Sequence, residues 1–405
     1  MHATTRGGLA ALISIAALTG VLAQQATPPG PPTNVRILSQ QTGGTGGGSG
    51  PRTGIWIGKS ELDALPMSGT AWNELKAEAD SSWTVQSIET QSGQVFNVQA
   101  MAGALVYARL APNASAGTYR AKVAQAIRNV MARPDQSSSC TAPNRNLGTW
   151  AISADLINLR EYDPTLDTQF RAWLRRKLDV PYDSSPSTIR TQVARPNNQG
   201  AWACFAVTAV SRYLGDTATL NTIAVRMRRF LGDTSAPYSL RWDTSNQSWQ
   251  ANPGSQASWV GINPKGAKRD GHNFDGIQPE DQRRGTPESY SASSFPNDFS
   301  SVRYNEVALG AYLGTVLMLE RAGYRDLVDA SDQALLRAAR WIKYAADNYA
   351  SKGYVYFRGF HEAAQPLVNY FYNAGMPEVK SRDQMEGREF GYSWTFWTHA
   401  GKRLR

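Results

Sequence analysis

The chain has 405 residues, 41% of them apolar and only 19% charged, yet it carries a formal net charge of +9. That excess favours a polyanionic partner, nucleic acid or acidic polysaccharide, over a basic surface that only keeps the protein soluble. Beyond the N-terminal leader no run approaches the ~20 apolar residues of a membrane-spanning helix, which excludes an integral membrane protein of that type.

The N-terminal "MHATTRGGLAALISIAALTGVLAQQA" has a basic start at Arg6, an apolar stretch from Leu9 to Leu22 and small residues before position 24. It reads as a secretory signal peptide, residues 1–23, cleaved after Ala23. The mature protein is therefore expected to be soluble, secreted and extracellular, and export selects acidic polysaccharide over nucleic acid as partner. Residues 24–52 are dominated by proline, then glycine and serine, and read as a flexible linker.

From residue 53 to 405 helical periodicity recurs. It covers "FNVQAMAGALVYARL", "YRAKVAQAIRNVMARP", "LGTWAISADLINLREY", "TLDTQFRAWLRRKLD", "AWACFAVTAVSRYLGD", "TATLNTIAVRMRRFLGD", "NEVALGAYLGTVLMLERAGY" and "SDQALLRAARWIKYAADNYA". Stops are expected at Gly215, Gly232 and Gly323. Strand-like alternation is sparse. Helices joined by short turns pack as antiparallel hairpins, and eight or more in series point to an all-α fold, an α/α toroid; about 350 residues suffice for one large domain or two, and a single large domain is expected, as is a monomer. Two polar stretches, 181–200 and 234–302, break the rhythm and are where a site is expected.

Cys140 and Cys204 are the only cysteines. An oxidising compartment predicts one disulfide between them, with two buried thiols as the alternative. Sequons at Asn113 and Asn246 fit a secreted glycoprotein.

His272, His361 and His399 show no HxH or HExxH spacing, CxxC is absent, and "DGHNFDGIQPED" lacks the ligand order of a calcium loop, so neither a metal nor another cofactor is expected. No G-x-S-x-G elbow supports a serine hydrolase. Asp281, Glu280 and Glu288 are the first candidates for the paired carboxylates of a glycoside hydrolase, or else they face solvent or cap a helix.

"RPNNQGAW" (195–202) places adjacent amides before an apolar helix, where Asn197 and Asn198 can act as caps. "NNQGAW" resembles the Asn-Asn-His-x-x-Trp signature of the alginate lyase family, and "DGIQPEDQRRG" is similar to that family's Asp-Gly-x-x-Pro-x-Glu-x-x-Arg segment. Asp275, Gly276, Pro279, Asp281 and Arg284 fall in step. The resemblance implies an α/α toroid polysaccharide lyase without a cofactor, acting on alginate, glucuronan or a similar uronic-acid polymer by β-elimination. It places Asn198 on the carboxylate-neutralising asparagine, Arg284 on the active-site arginine and Trp202 on the motif aromatic. Asn197, Arg283, Trp150 and Trp202 join as substrate-binding candidates, and Trp394 is a further aromatic that could stack on a sugar.

Two departures narrow the chemistry. Gln199 stands where the family has histidine; an amide can donate to a carboxylate but cannot act as a base near neutral pH. The family's catalytic tyrosine aligns with Val307, so Tyr304, one turn earlier, and Tyr290, in the loop, are the substitutes. A uronate C5 proton becomes removable only when donors stabilise the dianion formed beside its carboxylate, and preorganised donors each contribute roughly 3 to 4 kcal/mol. Tyrosine can serve as base and acid when a nearby cation lowers its ordinary ~10 pKa. The expected reaction is thus a tyrosine-driven syn elimination with Asn198, Gln199 and Arg284 as donors. His272 is the rival base. An inactive carbohydrate-binding relative and a toroid glycoside hydrolase are the alternative functions.

Overall fold

The computed structural model describes residues 53–90, 93–135, 139–182, 187–242, 244–298, 304–356, 362–381 and 391–404. The expected signal peptide and linker lie outside the described residues, as does His361.

Fifteen α-helices run through the described residues: α1 (Lys59–Asp63), α2 (Thr70–Asp80), α3 (Phe96–Leu110), α4 (Ala116–Met131), α5 (Thr141–Leu156), α6 (Leu159–Tyr162), α7 (Pro164–Asp179), α8 (Ile189–Gln192), α9 (Asn198–Leu214), α10 (Thr217–Leu231), α11 (Pro279–Gln282), α12 (Tyr304–Arg321), α13 (Ala330–Asn348), α14 (Gln365–Tyr372) and α15 (Thr395–Thr398). The only sheet among them is a hairpin of β1 (Lys268–Arg269) and β2 (His272–Asn273). The fold is all-α, as the periodicity predicts. Helices α10 and α13 end within about two residues of the expected limits, and Gly215, Gly232 and Gly323 take positive φ where stops are expected.

The helices alternate between two environments. In α3, α5, α9 and α12 nearly every residue is buried, 17 of 18 in α12, whereas only 6 of 16 are buried in α4 and 7 of 15 in α10. A helix buried all round must be enclosed by others, so the first set is inner and the second outer. Helix α9 lies between α5 and α12, and α3 packs on α2, α4 and α5. Small residues make the close approach possible: a Cβ on Gly148 of α5 would lie 2.7 Å from the Phe205 ring of α9.

A segment from Gly391 onward threads between these inner helices. The Gly391 carbonyl accepts from Thr149 Oγ1 (2.7 Å) and Asn97 Nδ2 (3.1 Å), Tyr392 Oη donates to the Gly310 carbonyl (2.7 Å), and Trp394 Nε1 donates to the Val98 carbonyl (3.0 Å). Thus α3, α5 and α12 share one strip of backbone.

Four expectations are corrected. Cys140 and Cys204 form no disulfide: the Cys140 thiol points at the Ser187 carbonyl (3.3 Å) and the Cys204 thiol at the Val193 carbonyl (3.9 Å). Burial also pushes the Cys204 thiol pKa up. Compartment sets whether a disulfide can persist, but side-chain direction decides whether one forms. Trp150 and Trp202 are 0% and 1% exposed, with Trp150 edge-on to Phe96 and Trp202 edge-on to Phe205, so neither presents a face to a sugar. Trp394 is equally enclosed. All three belong to the inner layer, where a large aromatic fills volume.

Among the described residues no helix is long and apolar enough to cross a membrane. Asn113 is exposed in the turn before α4; the Asn246 side chain lies outside the described set.

Candidate active site

Helix α9 begins at Asn198, three residues before the apolar run, because Asn197 caps it: Asn197 Oδ1 accepts the Gly200 N–H at 3.1 Å. Capping satisfies a backbone donor that would otherwise be orphaned. Gly200 is required by crowding, since a Cβ there would sit 1.9 Å from the Arg195 carbonyl oxygen.

The two motifs meet through Asn198. Its backbone N–H and its Nδ2 both donate to Asp281 Oδ1, each at 3.1 Å. Asn198 is 3% exposed and Asp281 fully buried. Asn198 therefore clamps the start of α9 to α11, and its amide is engaged by protein rather than aimed at a substrate carboxylate. Burial pushes the Asp281 carboxyl up to about 7, opposed by the Arg284 cation and by the hydrogen bonds from Asn198. The first half of the second motif is also structural. Asp275 Oδ1 accepts from Arg337 Nη1 of α13 at 2.6 Å, and Gly276 lies so close to the Arg337 carbonyl that a Cβ would fall 2.3 Å from it.

Between α9 and the 234–298 region opens a cleft of ≈ 530 Å³. Four arginines line it, Arg195, Arg241, Arg283 and Arg284, together with Gln199 and, among the described residues, a single acid, Glu280. Gln199 Oε1 accepts from Arg195 Nη1 at 2.7 Å, which fixes the amide with its oxygen toward Arg195; Nε2 lies 3.5 Å from Thr141 Oγ1. Asn197 lines the same wall. Arg283, only 8% exposed, donates Nε and Nη2 to Glu280 Oε1 (3.2 and 3.1 Å) and Nη1 to Glu288. Glu280 is thus an ion-pair partner and Asp281 an anchor for Asn198, roles unlike those of two hydrolase carboxylates facing a sugar.

Arg284 extends from the end of α11 and places its guanidinium over the Tyr304 ring, 5.0 Å from the centroid. Buried amides hold the two helices in that relation: Gln278 Nε2 donates to the Asn305 carbonyl (2.9 Å), and Asn305 Nδ2 donates to Gln282 Oε1 (2.6 Å). Arg145 is buried in α5, where burial lowers its pKa to about 10 against an opposing interaction with Tyr304.

The other two base candidates stand elsewhere. Tyr290 Oη donates to Asp270 Oδ2 at 2.8 Å, Arg269 lies over its ring, and burial together with the Asp270 bond pushes its pKa up to about 12. His272 Nε2 pairs with the Ala292 carbonyl at 2.9 Å and its ring stacks on Phe295. Neither lines the arginine cleft, and Tyr304 is not a lining residue either; what distinguishes Tyr304 is that the lining residue Arg284 lies over its ring. Among the described residues no group of three or more His, Cys, Asp or Glu side chains is arranged to hold a metal.

Sequence reasoning missed Arg195, Arg241 and Trp242. Arg195 directly precedes the Pro-Asn-Asn run and Arg241-Trp242 falls within the long polar stretch, so position was the available signal.

Residues 119–236 match the alginate lyase family model. The matched region spans α4 to the end of α10 and includes "NNQGAW", while the Asp275–Arg284 segment lies beyond it. No match to a curated protein was found. The family matched is the one the two motifs resemble, and the matched region supplies Arg195, Asn197 and Gln199 to the cleft; Arg241, Arg283 and Arg284 come from outside it.

Proposed function

We propose that the protein is a secreted polysaccharide lyase that cleaves a uronic-acid polymer by β-elimination. The observation that carries this reading is the cleft itself: four arginines and a fixed amide around one cavity, with Arg284 lying over the ring of Tyr304. The alternation of inner and outer helices supports an α/α toroid as its scaffold.

The uronate carboxylate enters among the guanidinium groups, where Arg284 and the Gln199 amide donate to it. As the C5–H bond breaks, charge builds on that carboxylate, and donors already in place stabilise it without reorganising. The Tyr304 phenolate, its negative charge stabilised by Arg284 at its ring face, takes the C5 proton and becomes the phenol. The same phenol returns a proton to O4 as the C4–O4 bond breaks, leaving a C4–C5 double bond. One group on one face gives syn elimination, and nothing in the scheme requires a cofactor. Asn198 acts one step back, as a positioning residue through Asp281.

The test is incubation with alginate, glucuronan and other uronans, followed by ultraviolet absorbance of the unsaturated product. Tyr304→Phe is expected to abolish the signal and Tyr290→Phe to retain it; the reverse pattern moves the base to the loop. Reducing ends without absorbance would establish a hydrolase, and binding without either product an inactive carbohydrate binder.

A further inference from the structure

A second cavity of ≈ 350 Å³ adjoins the arginine cleft, and Trp242 is a wall of both. Its chemistry is different. Trp242 and Trp259 meet edge to face, ring centroids 6.1 Å apart and planes at 70°. Tyr238, Ser239 and Gln256 supply neutral polar groups, and burial raises the Tyr238 pKa. Among the described residues Arg229 is the only charged one lining it, and both terminal nitrogens are engaged by backbone: Nη1 donates to the Thr234 carbonyl and Nη2 to the Ala257 carbonyl at 2.9 Å.

From this contrast we infer that the second cavity is a sugar subsite for an uncharged residue, and that the substrate is a polymer in which uronate alternates with neutral sugar. The inference rests on the lyase reading and names its substrate class. A pyranose presents an apolar C–H face that an aromatic ring can cover, while its rim hydroxyls bond to neutral donors and acceptors. A carboxylate placed there would lose water with only an already engaged guanidinium to receive it, and uncompensated desolvation of a charge is costly. In a homouronan every unit carries that carboxylate, so occupying the arginine cleft forces a charged neighbour toward the tryptophans. In an alternating polymer the neighbour is neutral. Trp242, common to both walls, sets the two sites side by side along one chain.

The experiment compares glucuronan with hyaluronan, in which the same uronate alternates with an N-acetylated hexosamine, reading kcat/KM by ultraviolet absorbance and affinity by titration calorimetry. Hyaluronan is expected to be preferred at least tenfold. Trp259→Ala is expected to lower kcat/KM on hyaluronan about tenfold and on glucuronan less than threefold, with Trp259→Phe restoring most of the loss; thermal melting checks that both variants fold. Equal or better use of glucuronan, or equal losses on both polymers, overturns the inference and leaves the lyase reading standing. If neither polymer yields absorbance, calorimetry decides the subsite: hyaluronan binding weakened by Trp259→Ala upholds it and defeats the lyase reading, and hyaluronan binding that is undetectable or insensitive to Trp259→Ala overturns it.

Discussion

Replacing Asp281 by asparagine removes a titrating group at the junction of the two motifs while keeping its shape. Burial holds this carboxyl at about 7, against roughly 3.9 in an unfolded chain. The fold therefore prefers the protonated acid. Below about pH 4 both states are protonated and no penalty arises. Between about pH 4 and 7 the unfolded chain releases the proton and the native state retains it, so stability falls as pH rises. Each pH unit in that window is worth ~1.4 kcal/mol, giving about 4 kcal/mol in total. The asparagine variant would carry no such dependence, and other groups cancel in the comparison. Urea unfolding of both proteins from pH 4 to 8 should show the variant gaining on the wild type by about 4 kcal/mol across the series. A difference that stays constant within about 1 kcal/mol, or that moves the other way, would refute the claim that Asp281 is desolvated and short of compensating donors.

Gly200→Ala drives a methyl into the Arg195 carbonyl and should cost about 3 kcal/mol or more by displaced backbone, seen as a lower urea midpoint together with weakened uronan binding. Arg226 is fully buried and donates to the carbonyls of Val193 (3.0 Å) and Arg195 (2.7 Å) and to Tyr312 Oη (2.7 Å). Arg226→Met leaves the Arg195 carbonyl and Tyr312 Oη without this donor and the Val193 carbonyl with only the Cys204 thiol, at about 1 to 3 kcal/mol for each unsatisfied acceptor, and should lower both stability and affinity, with Arg226→Lys recovering part of the stability. Arg284→Ala should reduce kcat/KM by about 10² to 10³ with little change in melting temperature; an unchanged rate would remove Arg284 from the site. Thiol titration of the denatured protein should find two free cysteines, and a reducing agent should leave the thermal midpoint where it was.

The apolar stripes of the helices were legible because a 3.6-residue period marks a buried face directly. The limits of α9 were not, since its first turn is polar and its cap is one of two adjacent asparagines. Helix α2 was overlooked although Trp72, Leu75 and Ala79 carry its stripe. At the site, both motifs pointed to one place, yet not to which letters face the cavity. Asn198 turned out to be engaged by Asp281 and Gln199 to line the cleft, a distinction set by one step of helix rotation. Burial of Trp150 and Trp202 was illegible because a tryptophan reads alike in a core and on a sugar platform. Arg241 and Trp242 sit in irregular chain, where no period reveals a facing direction.

The strip beginning at Gly391 means that the interior is closed by chain that follows every helix it fastens. A ribosome delivers α3, α5, α9 and α12 long before the backbone that satisfies Asn97 and Thr149, so an unfinished chain has its helices but no sealed centre. Removing residues 391–404 should accordingly give a swollen, dye-binding globule rather than a smaller working protein. Residues 391–394 are a late clasp on helices made earlier.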